Sequence, residues 1–203
     1  MKNFQKFEAL SEEKKTTIIN ASMREFLKGG YDKASMNDLV IAAGISKGSL
    51  FYYFDNKKTL YLYLFEYCQS LICETAERGI VTESHDFIER IANNIKENIR
   101  LLREYPLAYG FMKACKAEKS LKVKDEIDHL KSQHSDAIFS KLYDEIDNSL
   151  FKDDIDEEMA IYTIKTTMFQ IVHDALATGN IKDHAVISKI DDYSTFYRTA
   201  FYR

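Results

Sequence analysis

The sequence predicts an all-α protein, and three observations predict it. Among 203 residues there are 7 Gly and 1 Pro, too few to punctuate a series of short strands with tight turns. Apolar residues return at spacings of three and four along most of the chain, the period of one helix face. Ser, Asp and Gly stand at the ends of these runs, where helix caps are needed. A hydrophobic content of 45% with 30% charged residues excludes wholesale disorder and supports a packed core. No run of about eighteen apolar residues suits a membrane span, and the first thirty residues hold no apolar signal segment. A cytoplasmic location without a membrane partner is therefore expected.

Ser11, Glu12 and Glu13 open a first helix in which Ile18, Ile19, Ser22, Phe26 and Leu27 fall at helical spacing, and Gly29-Gly30 closes it. Acids at its start fit the helix dipole, and glycine fits the left-handed stop. Ser35-Met36-Asn37-Asp38 has the form of a capping box and starts a short second helix that ends at Gly44. Ser46 then caps a third helix from Lys47 to about Phe54. Two short helices joined by a glycine turn are the sequence form of a helix-turn-helix. Ala43 is small where the helices cross, Ile45 plugs the turn, and Leu50 and Phe54 face inward.

Gly44-Ile45-Ser46-Lys47-Gly48 also fits the G-x-S-x-G elbow of hydrolases. That elbow needs a buried strand before its serine, and the residues before Ser46 are helical, so Ser46 reads as a cap. No pair of carboxylates and no Cys/His constellation has catalytic spacing, and the protein is not expected to be an enzyme. Cys68, Cys73 and Cys115 are read as core thiols of a reducing compartment, with no metal and no cofactor. The charge is uneven. Residues 1–60 carry 10 Lys+Arg against 7 Asp+Glu, whereas residues 61–203 carry 18 against 25, a mildly basic head on an acidic body.

Gly30-Tyr31, the Ser35 start, the run from Ala43 to Phe54, and Asn56-Lys57 followed by Leu60 together resemble the N-terminal signature of the TetR family of bacterial transcriptional regulators. The resemblance covers about residues 11–64 and implies a homodimeric helical protein whose C-terminal part binds a small ligand. Two positions depart from it: Phe51 stands where the family usually has tyrosine, and Asp55 where it often has a basic residue.

The remainder reads as six further helices, about nine in total. Asn56 caps a long one whose stripes are Leu60, Leu64, Tyr67, Leu71 and Tyr61, Phe65, Cys68, Ile72. Ser84 starts another with Ile88, Ile91, Ile95, Ile99 and Leu102 on one face, and Pro106 ends it and begins the next. A single helix is expected over 119–149, with His134 in its inner row. Asp154 and Glu157 mark the start of a helix that is apolar nearly all round from Met159 to Ala177. The last runs from about Asp183 to Tyr202. Residues 1–55 then form a helix-turn-helix DNA-binding domain, and 56–203 a helical ligand-binding and dimerisation domain.

These readings assign three sets of residues. For DNA, Lys47, Ser49, Phe51, Tyr52 and Tyr53 lie nearest the major groove of a pseudo-palindromic duplex, with the Gly48 amide, Ser35, Ser46 and Lys57 at phosphates. For a small hydrophobic or aromatic ligand, the lining is Phe65, Ile91, Ile95, Phe111, Met112, Cys115, Ile138, Met168, Phe169 and Val172, with Tyr109 and His173 as polar contacts. For the homodimer, the interface is formed by two helices: the one from Met159 to Ala177, whose all-round apolar surface needs two buried faces, and the last one, whose seam is Val186, Ile190, Tyr193, Tyr197 and Phe201, spaced at alternating four and three. The function expected is a sequence-specific repressor released from its operator by the ligand. Two alternatives stay open: a helical dimer that binds a ligand or acts as an enzyme and keeps the head as a vestige, and a regulator governed by a protein partner.

Overall fold

The computed structural model describes residues 4–80, 84–134, 142–182 and 184–203, and among them it contains α-helices, two short 3-10 turns and one isolated β-bridge between Phe151 and Tyr202. The helices are α1 (Gln5–Glu8), α2 (Glu12–Lys33), α3 (Met36–Ala43), α4 (Lys47–Phe54), α5 (Lys57–Ile80), α6 (Phe87–Glu104), α7 (Pro106–Lys116), α8 (Lys124–His134), α9 (Glu157–Ala177) and α10 (His184–Phe201). Packing divides the chain into two units that interleave in sequence. Unit 1 comprises the residues up to Ser70 with Tyr105–Gln133, and unit 2 comprises Leu71–Glu104 with His134–Arg203. The expected functional boundary at 55/56 falls inside unit 1, because α7 packs on α2 and the first half of α5 shares their core.

The core of unit 1 joins α2, α5 and α7 through Phe26, Tyr61 and Phe111, whose rings meet at 4.8 to 6.2 Å. Cys68 lies in the same interior, its Sγ 3.6 Å from Met23 Sδ, and burial pushes its thiol and that of Cys115 up to about 12. Both are inert apolar fillers at neutral pH. Unit 2 is a three-helix layer of α6, α9 and α10 around Ile88, Ile91, Ile95, Ile164, Met168, Ile190 and Tyr197.

Most helix ends obey the local signals. Ser35, Ser46 and Asn56 accept the backbone N–H groups of Asp38, Ser49 and Thr59 at 3.2, 3.0 and 2.9 Å. Gly44 takes the left-handed conformation (φ 63°) that ends α3. The helical path of α2 breaks at Gly29 and Gly30, and one further turn carries Tyr31 to Lys33.

Four expectations are corrected. The chain has an additional helix, α1, whose Phe7 is buried against Tyr53, Phe54 and Tyr63. The cap of α6 is Asp86, which accepts from the N–H groups of Ile88 and Glu89, and not Ser84. The cap of α9 is Asp156, which accepts from Met159 N at 2.9 Å, and not Asp154. The single helix over 119–149 does not form. The Glu118 carboxylate takes the N–H groups of Lys119 and Ser120 and holds a turn there, so α8 starts only at Lys124. At the far side Leu142–Glu145 is turn, Glu145 has φ 55°, and Asn148–Leu150 is a 3-10 turn. The His134 side chain lies outside the described residues.

Candidate nucleic-acid interface

Helices α3 and α4 owe their relative placement to a short apolar wedge. Leu39, Val40 and Ala43 of α3 and Leu50 and Phe54 of α4 are buried, and the Gly44 turn lets the chain reverse between them. Burying Leu50 and Phe54 at spacing four fixes the phase of α4 and turns its other face outward. Lys47 and Gly48 are exposed, Ser49 and Phe51 are half-buried, and Tyr52 is 60% exposed. With eight residues, α4 is about 12 Å long, a length that lies within the major groove of a duplex.

The start of α4 is suited to an anion. Ser46 Oγ takes Ser49 N–H and lies 2.8 Å from Ser49 Oγ, while the first-turn amides of Lys47 and Gly48 have no intrahelical acceptor, as at any helix start. A Cβ at Gly48 would meet only Ser46 Oγ at 3.7 Å. The fold itself tolerates a side chain there, so what the glycine leaves open is the space outside the protein. Lys47 Nζ lies 6.0 Å from the Phe51 ring centroid, which keeps the charge over the outward face of the helix.

The sequence-assigned DNA residues divide three ways. Lys47, Gly48, Ser49, Phe51 and Tyr52 share the outward side of α4 with Ser46 at its start. Tyr53 is half-buried with its ring near Phe7 and Phe54, so it supports the helix from within as well. Ser35 caps α3, and its own N–H goes to Glu25 Oε1 at 2.9 Å. Lys57 is used differently from the expectation: its Nζ donates to Ala34 O (2.7 Å) and Asp32 O (3.3 Å) and lies 5.0 Å from the Tyr31 ring centroid. Burial lowers its pKa, and it ties the end of α2 to the start of α5. One residue was missed. Lys6 of α1 sits 3.9 Å from the Tyr52 ring centroid and adds a cation beside the outward face; its only sequence signal is the Phe4 and Phe7 pair at spacing three that seats α1.

The turn that leads into α3 is held by two carboxylates. Glu25 is kept below the ordinary carboxylate value by Lys28 and by the Ser35 N–H. Glu118 accepts the Tyr31 N–H at 2.8 Å, one residue beyond the strained Gly30. Lys122 pairs with Asp32 at 2.8 Å and Lys58 with Glu126 at 2.5 Å, so the segment between α7 and α8 is pinned to the same region of unit 1.

The expected ligand lining is divided between the two units. Phe65, Phe111, Met112 and Cys115 are buried in unit 1, and Ile91, Ile95 and Met168 in unit 2. Phe65, Ile91, Ile95, Cys115 and Met168 are fully buried. Tyr109, Phe169 and His173 lie at the surface, and the last pairs with Asp174 at 3.7 Å in a solvated cluster. Val172 is half-buried beside the unit 2 core, and Ile138 lies outside the described residues.

Of the expected dimer seam, three residues are turned inward. Val186, Ile190 and Tyr197 are buried within the chain itself against α6 and α9, so they present nothing to a partner. Tyr193 and Phe201 are half-buried along the same core. The large apolar residues left exposed on the last two long helices are Met159 (67%), Tyr162 (64%) and Phe169 (39%) of α9 and Phe196 (59%) of α10.

Fold and site together define a helix-turn-helix DNA-binding domain carried on an all-helical body. Residues 18–64 match the family described as bacterial regulatory proteins, tetR family, so the helix-turn-helix segment is similar to that family's N-terminal part. Solved structures share the fold over nearly the whole length. A TetR family transcriptional regulator from Chloroflexus aurantiacus J-10-FL is 22% identical, covers 98% of each chain and has a TM-score of 0.57. The fatty acid degradation regulator FadR from Bacillus halodurans is 15% identical over 93% of this chain and 96% of its own, with a TM-score of 0.62. The regulator FadR from Bacillus subtilis, in complex with stearoyl-CoA, is 18% identical over 90% and 96%, with a TM-score of 0.57. Among the described residues no helix is long and apolar enough to cross a membrane.

Proposed function

We propose that this chain is a sequence-specific DNA-binding transcriptional regulator that works as a two-fold homodimer on a pseudo-palindromic operator and is released from it by a small hydrophobic ligand. The observation that carries the reading is the phase of α4: Leu50 and Phe54 are anchored inward, while Lys47, Gly48, Ser49, Phe51 and Tyr52 are carried outward on one short helix. Lys47 and the first-turn amides meet phosphate, and Phe51 and Tyr52 bring apolar surface and one hydroxyl to base edges and sugars. Dimerisation uses the exposed stripe of Met159, Tyr162 and Phe169 with Phe196, since an apolar patch of that kind on two neighbouring helices is a surface awaiting cover. That the Bacillus subtilis relative was solved with stearoyl-CoA supports a hydrophobic ligand class here.

Selection of bound duplexes from a random pool tests the reading. Enrichment of an inverted repeat with half-sites about one helical turn apart is expected. Lys47→Ala should weaken binding to all sequences and reduce the salt slope by about 2, as loss of one phosphate contact in each subunit of the dimer does. A protein that enriches no sequence, or whose binding ignores both Lys47→Ala and Tyr52→Ala, is not using α4.

A further inference from the structure

Unit 1 contains a half-open cavity of about 610 Å³ between the N-terminal segment and the first four turns of α5, walled by Phe4, Glu8, Leu62, Tyr63, Glu66 and Tyr67 with smaller polar neighbours. Its volume suits a drug-sized molecule, and it was not among the sequence-assigned sites. The aromatic wall is ordered. Phe4 meets Tyr63 edge-on at 4.7 Å, and Tyr63 and Tyr67 stack with centroids 6.4 Å apart at 15°. The Tyr63 hydroxyl donates to Glu8 Oε1 at 2.7 Å, and burial with this bond to a carboxylate keeps the phenol protonated. At Tyr63 the wall therefore offers a ring face rather than a free donor.

The charges narrow the chemistry. Two carboxylates and one ammonium line the cavity, and that ammonium, Lys58, is held by Glu126 at 2.5 Å. Glu8 is shared with Lys15 at 3.3 Å, whereas Glu66 has no ion-pair partner among the described residues. An anion finds no free cation here, and a neutral hydrophobe leaves Glu66 unused. A positive charge set against tyrosine faces and a carboxylate gains from both. We propose that this cavity binds an aromatic or amphiphilic organic cation, with its charge at Glu66 and its apolar body against Phe4, Leu62, Tyr63 and Tyr67.

The cavity wall is continuous with the back of α4. Phe4 and Tyr63 lie 5.9 and 5.2 Å from Phe54, and Phe7 joins Phe54 to Tyr53 at 4.7 and 6.0 Å. A cation that moves Phe4 changes the support of the groove-facing helix directly, so occupancy lowers DNA affinity. This second half rests on the DNA-binding reading above; the binding itself does not.

Calorimetric titration of the full chain with tetraphenylphosphonium and with its anionic isostere tetraphenylborate, in sodium buffer, separates shape from charge. One cation per chain is expected, bound at least tenfold more tightly than the borate. Glu66→Gln should weaken the cation by three- to tenfold while leaving the melting temperature unchanged, because Glu66 is exposed and has no ion pair among the described residues. Equal binding of the two ions, binding of neither, or an unaltered affinity in Glu66→Gln overturns the site. With the selected operator, saturating cation should weaken DNA binding at least fivefold, and unchanged affinity overturns the coupling. A protein that binds no duplex at all defeats the DNA reading, and the calorimetry still decides the site.

Discussion

Replacing Glu118 by glutamine removes one charge and no atoms of bulk, which makes it a sharp test of how unit 1 is held. Glu118 Oε2 accepts Tyr31 N–H at 2.8 Å, and Oε1 accepts Lys119 and Ser120 N–H at 2.8 and 2.9 Å. An amide keeps one oxygen for Lys119 and Ser120 but turns an NH₂ toward the Tyr31 N–H, so one charge-assisted bond is lost and two are weakened. Hydrogen bonds to a charged group contribute about 1.5–3 kcal/mol each, and the net cost expected for the variant is about 2 kcal/mol. For a chain of this length that is roughly 4–8 °C in Tm. Burial by itself would raise the Glu118 carboxyl, but the bonds from Tyr31, Ser120 and Lys119 together bring it below the ordinary glutamate value of 4.5. The unfolded chain then binds the proton more readily than the folded one. The stabilisation is full above pH 4.5 and is lost as the pH falls through the lowered folded value. Urea or thermal melts of wild type and Glu118→Gln should therefore diverge at pH 7 and converge in acid. Equal stability at pH 7, or a gap that does not narrow in acid, refutes the assignment of Glu118 as the clasp of this turn.

Gly30→Ala should cost about 1–3 kcal/mol by urea melting, because φ 73° and ψ −175° is a region that side chains do not occupy, and a Cβ there would also lie 3.1 Å from Glu118 Oε2. Gly79→Ala should cost a similar amount, about 1–3 kcal/mol, in unit 2, since its Cβ would stand 2.6 Å from the Asn94 Cα and backbone must move; a neutral outcome means α5 and α6 cross less closely. Tyr162→Glu should give a folded monomer with unchanged circular dichroism in sedimentation, whereas Ile190→Asp, at a side chain with no exposure, should lose the helical signal of unit 2. The reverse pattern would restore the Ile190 seam as the interface.

The helix-turn-helix was legible because its determinants are local. Ser35 and Ser46 cap through a bond three residues on, and Gly44 supplies the left-handed stop within one residue of where it is needed. Wherever the deciding partner is distant in sequence, the same signals mislead. Apolar spacing runs on from Ile127 to Ile146, and a continuous helix is the economical reading of it. What sets the true start of α8 is the turn at Glu118, a residue engaged with Tyr31, 87 positions away. Lys57 shows the same limit at the candidate site: a lysine beside a DNA-reading helix invites a phosphate, but the carbonyls of Asp32 and Ala34 reach it first.

Periodicity in α10 tells how much of a helix must be covered and is silent on what covers it. The stripe of Val186, Ile190, Tyr193 and Tyr197 is identical whether its cover is a neighbour in the same chain or a second copy. Here α6 resolves the ambiguity, since its own isoleucine stripe fills that face. Once α6 and α10 have closed on α9, the buried face of α9 is defined by Ala160, Ile164, Met168, Ile171 and Ala175. Met159, Tyr162 and Phe169 are the residues of an all-round apolar helix for which the described residues supply no cover. In the proposed dimer the signal for assembly is the apolar residues on every side of α9, a helix with too many of them for one core, set beside α10, whose regular seam one core satisfies.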